Sequence, residues 1–92
     1  MPIHLVTEKS ARLKFHHEIL MTLLRLTPER KKEPSPPAPE KWVTTRDVAD
    51  AHQISIYKAR QILLALVTRD LVMVSDGKVN NSLRWYPKVF MW

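Results

Sequence analysis

Cysteine is absent from this 92-residue chain, and glycine occurs once, at Gly77. The first absence removes disulfide frameworks, thiolate metal sites and cysteine nucleophiles together, and it suits a reducing compartment. The second removes a glycine-rich phosphate loop, which needs several residues able to turn left-handed and bring backbone N–H groups close to an anion. Long apolar runs are missing as well. The longest, Ile62–Val67, has six residues, against the ~20 a membrane-crossing helix needs. The first twenty residues carry His4, Glu8, Lys9, Arg12 and Lys14 where an export signal would have an apolar core. The expectation is a cytoplasmic protein without a membrane or export segment.

What the chain does have is positive charge. Fifteen Lys and Arg stand against nine Asp and Glu, a net charge of +6, which favours nucleic acid or another polyanion as a partner. The excess is +3 on either side of a division placed before Trp42, so it is not a basic arm attached to a neutral body. At this length one domain over residues 1–92 is expected, burying about 60 to 65 % of the surface of the unfolded chain.

Residues 8–26 contain no Pro or Gly and space Leu13, His16, Leu20, Leu23 and Leu24 as one helical stripe, widened by Phe15 and Ile19. Thr7 or Ser10 is the expected cap and Thr27-Pro28 the stop, since proline disfavours helical backbone in the residue before it. Residues 28–41 then hold five of the seven prolines and no aliphatic side chain larger than Ala38. This reads as a Pro-rich loop or spacer that joins neither a helix nor the core. Its PPAP stretch also has the composition of a ligand for a proline-recognising domain.

Thr44 and Asp47 stand three apart as a capping box with Asp in place of Glu, predicting a second helix over Thr45–His52. Gln53 and Ile54 connect it to a third, capped by Ser55 and running from Ile56 to about Arg69. Ile56, Ala59, Ile62, Leu63 and Leu66 share one face of that helix, with Tyr57, Lys58, Arg60, Gln61 and Thr68 elsewhere. Two β-prone runs, LVMVS and SLRWY, follow on either side of Asp76-Gly77-Lys78, which reads as the turn of a hairpin. Val89, Phe90 and Trp92 make the end of the chain apolar enough to pack. Three helices followed by a hairpin give an α+β fold, a small winged helix-turn-helix with the Pro-rich insertion between helices 1 and 2.

In a helix-turn-helix the first helix braces the second, whose opening turns enter the major groove. Ala49 and Ala59 fit the close contact between the two, and Val48, Ile54, Ile62, Leu63 and Leu66 the supporting face. Arg60 and Gln61 are the candidates for reading base edges, because each can make two bonds to one base, and Tyr57 and Lys58 for holding the backbone. Arg46, Lys78 and Arg84 are candidates for phosphate contacts from helix 2 and the wing, and Asn80 and Asn81 suit either a turn or a phosphate. The same residues also describe a solvated helix and a wing kept soluble by its charges. Trp42, Trp85 and Trp92 could stack on single-stranded bases, but their positions fit core packing better.

No metal site is expected. Adjacent His16 and His17 point about 100° apart on a helix, and neither His4 nor His52 completes a ligand set with them. No nucleophile is matched with a base and no acid pair appears, so no enzyme activity and no cofactor are expected.

The HEIL of helix 1, TTRDVADAHQIS, SIYKARQILLAL and the closing LRWY together resemble the PapI and FaeA type regulators of fimbrial operons, over about residues 17–86 without the loop. Their Ser/Thr-x-Tyr-x-Ala-Arg opening of the recognition helix is matched by Ser55, Tyr57, Ala59 and Arg60. The resemblance implies a winged-helix coregulator of bacterial transcription that binds double-stranded DNA. It would act beside a global regulator like the leucine-responsive regulatory protein, sometimes with adenine methylation of the site. It implies that Tyr57, Lys58, Arg60 and Gln61 contact DNA or the joint protein and DNA surface. The Pro-rich insertion, a wing with fewer basic residues and the apolar tail depart from the pattern, so DNA binding is expected to be assisted by a partner, with this chain a monomer or weak dimer. The alternative is a winged-helix adaptor that binds protein and not DNA.

Overall fold

The computed structural model describes residues 8–28 and 36–91. The first helix, α1, runs over Glu8–Leu26, the span its unbroken pattern predicts. Its end is fixed at Thr27, whose amide and hydroxyl both donate to the carbonyl of Leu23, at 3.0 and 2.6 Å, after which Pro28 has no N–H to offer. Ser10 lies within the helix and not at its cap, and Thr7 is outside the described residues. The buried face centres on Ile19, Thr22 and Leu23, with Phe15, His16 and Leu20 half-buried beside them. Leu13, expected in the stripe, is 48 % exposed instead. It sits about 120° round the helix from Ile19, so one flank of an over-wide stripe is left outside.

Of the Pro-rich segment, residues 29–35 lie outside the described residues. Its last part is more ordered than a spacer: Pro39–Lys41 form a 3-10 turn, with Pro36, Pro37 and Pro39 half-buried. Trp42 holds it down by donating its indole N–H to the carbonyl of Pro37 at 2.7 Å and by lying against Tyr86, ring centres 5.4 Å apart. That end packs half-buried beside the sheet, while none of its described residues joins the buried core.

Helix α2 occupies Thr45–His52 and α3 Ile56–Thr68. Both sides of the capping box form, Asp47 N–H to Thr44 Oγ1 at 3.0 Å and Thr44 N–H to Asp47 at 3.2 Å. Ser55 accepts from Lys58 N–H at 3.0 Å to cap α3. Each helix ends on a left-handed residue without using glycine. Gln53 (φ 54°) follows α2 and is succeeded by an Ile54 N–H to Ala49 carbonyl bond. Asp70 (φ 65°) follows α3 and is succeeded by Leu71 N–H to Leu66. These bonds satisfy carbonyls that a helix end otherwise leaves open. Ala49 and Ala59 are both buried, as the close α2–α3 contact requires. Ile56 is 43 % exposed and does not join the core face: it stands on the first turn of α3, ahead of the point where that helix meets its neighbours.

A strand absent from the sequence reading, β1 (Val43–Thr44), joins β2 (Val72–Val74) and β3 (Arg84–Pro87) in an antiparallel sheet ordered β1-β3-β2. Val43 faces Trp85 and Met73 faces Tyr86 across it. The core joins Ile19, Leu23, Val48, Ile62, Leu63, Leu66, Val72 and Trp85 between helices and sheet, each such side chain contributing about 1.5–3 kcal/mol by leaving water. Trp85 is fully buried and its N–H donates to Thr45 Oγ1 at 2.8 Å, tying sheet to α2. His52 ties α2 to α1 through a 2.6 Å bond to Thr22 Oγ1 and an edge contact with Phe15. Three helices and a small antiparallel sheet with a protruding hairpin make a winged helix.

The tip of that wing is not at Gly77. Val79 and Ser82 pair by exchanging N–H to carbonyl bonds of 2.8 and 3.2 Å, and Asn80 (φ 52°) and Asn81 (φ 68°) form the turn between them. Two successive left-handed residues are the tight hairpin turn that matches strand twist, and asparagine is among the few residues that accept it. Gly77 (φ 91°) serves a bend in the outgoing arm, where Ser75 Oγ donates to its carbonyl at 2.7 Å.

Candidate nucleic-acid interface

The start of α2, the start of α3 and the wing converge on one cleft of about 470 Å³. Arg46 enters from the first turn of α2, Arg60 from the second turn of α3 and Lys78 from the wing, with Ile56, Asn80 and Asn81 completing the wall. All three cations are exposed and, among the described residues, no carboxylate lines the cleft, so their fields add instead of cancelling. Three residues far apart in sequence thus come together because α2 is capped at Thr44, α3 at Ser55, and the wing folds back at Asn80-Asn81.

Arg84 stands at the back of the same cleft with its head turned inward. It donates to the carbonyls of Glu40 and Trp42 at 3.2 and 3.3 Å and reaches that of Val79 at 3.5 Å. Its charge still adds to the potential of the cleft, but Nη1 and Nη2 are engaged in joining the end of the Pro-rich segment, β1 and the wing, while Nε is buried without a hydrogen-bond partner among the described residues.

The remaining candidates on α3 do not share the cleft. Tyr57 is 72 % exposed on the crest of the helix, and Gln61 lies one turn further along. Lys58 is two residues before Arg60, about 160° away round the axis, and with Gln61 it borders a second hollow between α3 and α1. That separation follows from helical geometry and could have been read from the spacing. Arg12, also bordering that hollow, was not anticipated, because only the packing of α1 on α3 brings it beside Lys58.

His16 lies in the same hollow, half-buried. Burial, and then the charges of Arg69, Arg12 and Lys58, hold its pKa below the usual histidine value, so the ring is neutral at physiological pH. His17 is exposed. Among the described residues no three His, Asp or Glu side chains gather as a metal site would need, and no helix is long and apolar enough to cross a membrane. Trp42 and Trp85 are buried, so neither offers a face to a base; Trp92 and His4 are outside the described residues.

Comparison with curated proteins and with solved structures finds no match. The family model for FaeA-like proteins does match, over residues 15–79. That span takes in most of α1, the whole helix-turn-helix and the outgoing arm of the wing, well over half of the chain, so the chain belongs to the FaeA-like protein family.

Proposed function

We propose that this protein is a non-enzymatic, DNA-binding regulator of transcription that acts on a fimbrial or other surface-structure operon together with a partner DNA-binding protein. One observation carries the reading. Arg46, Arg60 and Lys78 line a single cleft, without a carboxylate among the described residues, beside the opening turns of a capped helix whose outer face is exposed. Membership of the FaeA-like family supports the regulatory part. A helix of this kind fits the major groove, ~12 Å wide, with its first turns toward the bases.

In that pose Arg60 and Gln61 read base edges, Tyr57 and Lys58 contact the sugar-phosphate backbone, and Arg46 and Lys78 hold phosphates on either side. Arg84 acts by keeping the wing in place. A global regulator resembling the leucine-responsive regulatory protein is the expected partner, and the protein works in the cytoplasm as a monomer or weak dimer.

The experiment is a titration of labelled duplexes from the control regions of neighbouring operons, with and without the partner regulator, for the native protein and Arg60→Ala. Native protein should prefer one duplex. Arg60→Ala, while still folded, should lose about 1–3 kcal/mol of that preference, the value of one two-bond contact to guanine. Absence of binding to every duplex, even with the partner present, sinks the DNA reading and leaves the adaptor. The exposed pair Tyr57 and Leu64 on the crest of α3, at 72 and 40 %, is what favours that second reading.

A further inference from the structure

The hollow between α1 and α3 is built unlike the cleft. Its volume is about 760 Å³, within the range of sites that accept a drug-sized group or a few side chains. Ala11 and Ala65 are too small to fill the space between the helices, and Phe15 and Ile62 give it an apolar floor. Arg12 and Lys58 stand on its rim, and Arg69 is close enough for its charge to act on His16. Among the described residues no carboxylate lines the hollow, and none of these three cations is in an ion pair. Nothing among the described residues answers either the apolar floor or the positive rim.

We propose that this α1–α3 groove is the docking site for an acidic amphipathic segment of a partner protein, whose apolar side chains enter the trough while its carboxylates meet the rim. The occupant is chosen by chemistry. A duplex would use the rim but has no use for a floor of Phe15 and Ile62, whereas an amphipathic helix lays its apolar residues into such a groove and its flanking charges along the edges. A neutral amphipathic segment would use the floor and leave the cations without a partner. The proton affinity of His16 is lowered first by its burial in the groove and then by the charges of Arg69, Arg12 and Lys58.

The groove and the cleft lie on opposite flanks of α3. A partner seated in the groove therefore leaves Arg46, Arg60 and Lys78 open to DNA, while Lys58 and Gln61 border the groove itself and are shared between the two partners. The inference rests on the reading of a partner-assisted regulator only in giving that partner its surface. The contact itself does not require DNA.

The test uses the full-length, isotope-labelled protein and a synthetic amphipathic peptide of about 16 residues, with Leu and Phe at helical i, i+3, i+4 and i+7 spacing and Glu on the other face. A control peptide has every Glu replaced by Lys. The acidic peptide should shift the amide signals of Phe15, Ile62 and Ala65 and bind at least about tenfold more tightly than the control. The variant R12E, whose side chain is exposed and outside the cleft, should weaken the acidic peptide about fivefold or more and leave duplex binding unchanged.

Equal binding of the two peptides, or shifts centred on Arg46, Arg60 and Lys78, overturns the proposal. So does duplex DNA that shifts Phe15 and Ala65 as strongly as the peptide does, since the groove would then be a nucleic-acid surface. Duplex binding with no response to the acidic peptide removes this inference alone, and the reverse outcome removes the DNA reading alone.

Discussion

Arg84 separates having a positive charge from being free to use it. Its guanidinium spans carbonyls 44 and 42 residues back in the chain, at Glu40 and Trp42, and one on its own wing at Val79; the bonds to Trp42 and Val79 are part-buried and the one to Glu40 is exposed. Replacing it with Met should cost about 1–3 kcal/mol, because charged donors are lost and the part-buried carbonyls of Trp42 and Val79 are left unmet. The urea midpoint reports that loss. Duplex affinity of Arg84→Met, measured where it remains folded, should fall less than that of Arg60→Ala. His16 gives a second prediction at this scale. The unfolded chain takes up its proton near pH 6.5, while the native protein, whose ring is held below that value by burial and by Arg69, Arg12 and Lys58, takes it up only at lower pH. Between those two points the unfolded state binds more protons, so stability falls as pH drops below about 6.5 and levels once the native ring is also charged. Urea midpoints between pH 7.5 and 5 should therefore decline less in His16→Gln than in the native protein; an equal decline would mean that His16 does not feel its neighbours.

Among the elements, the wing turn carries the clearest consequence. Asn80 and Asn81 both hold left-handed backbone, which asparagine tolerates and glycine adopts freely. Asn81→Gly should relieve that conformation and raise stability by a few tenths to about 1 kcal/mol, and Asn81→Val should lower it by about 1–2 kcal/mol. Thermal unfolding of both variants checks the sign. The same turn marks the boundary of what was legible in the sequence. Local rules were enough for the helices: the proline stop after Leu26, the Thr44–Asp47 box and the Ser55 cap place all three to within a residue. They were not enough for the wing, because Gly77 is the stronger turn signal on its own and only the Val79–Ser82 pairing moves the tip to the asparagines. The two-residue strand β1 has no pattern of its own and exists because Trp85 and Arg84 present it with partners. Of the candidate site, the residue types were legible and their grouping was not. Arg46, Arg60 and Lys78 meet through tertiary folding, Lys58 is carried away from Arg60 by helical pitch, and the inward turn of Arg84 depends on carbonyls that only the folded chain brings to it.

On the scale of the molecule, the net charge of +6 says that a polyanion is attracted but not where it sits, and the two hollows on α3 divide that charge in a way that can be measured. Each phosphate neutralised by the protein releases condensed counterion, so log Kobs falls against log salt with a slope of about −0.9 per contact. If the duplex lies across the cleft, each of Arg46→Ala, Arg60→Ala and Lys78→Ala should weaken binding, and the two phosphate contacts among them, Arg46 and Lys78, should each flatten the slope by roughly 0.9. Arg60→Ala should act mainly on sequence preference. Arg12→Ala, on the rim of the other hollow, should leave slope and preference unchanged although it removes the same formal charge. Two charge losses of equal size with unequal effect cannot come from net charge alone, because diffuse attraction responds to the total. Titration over 50 to 300 mM salt, a range of about sixfold, resolves a slope change of that size. Equal flattening by Arg12→Ala and Arg46→Ala would show that the duplex is held by the overall field, and the cleft would lose its claim to be the interface.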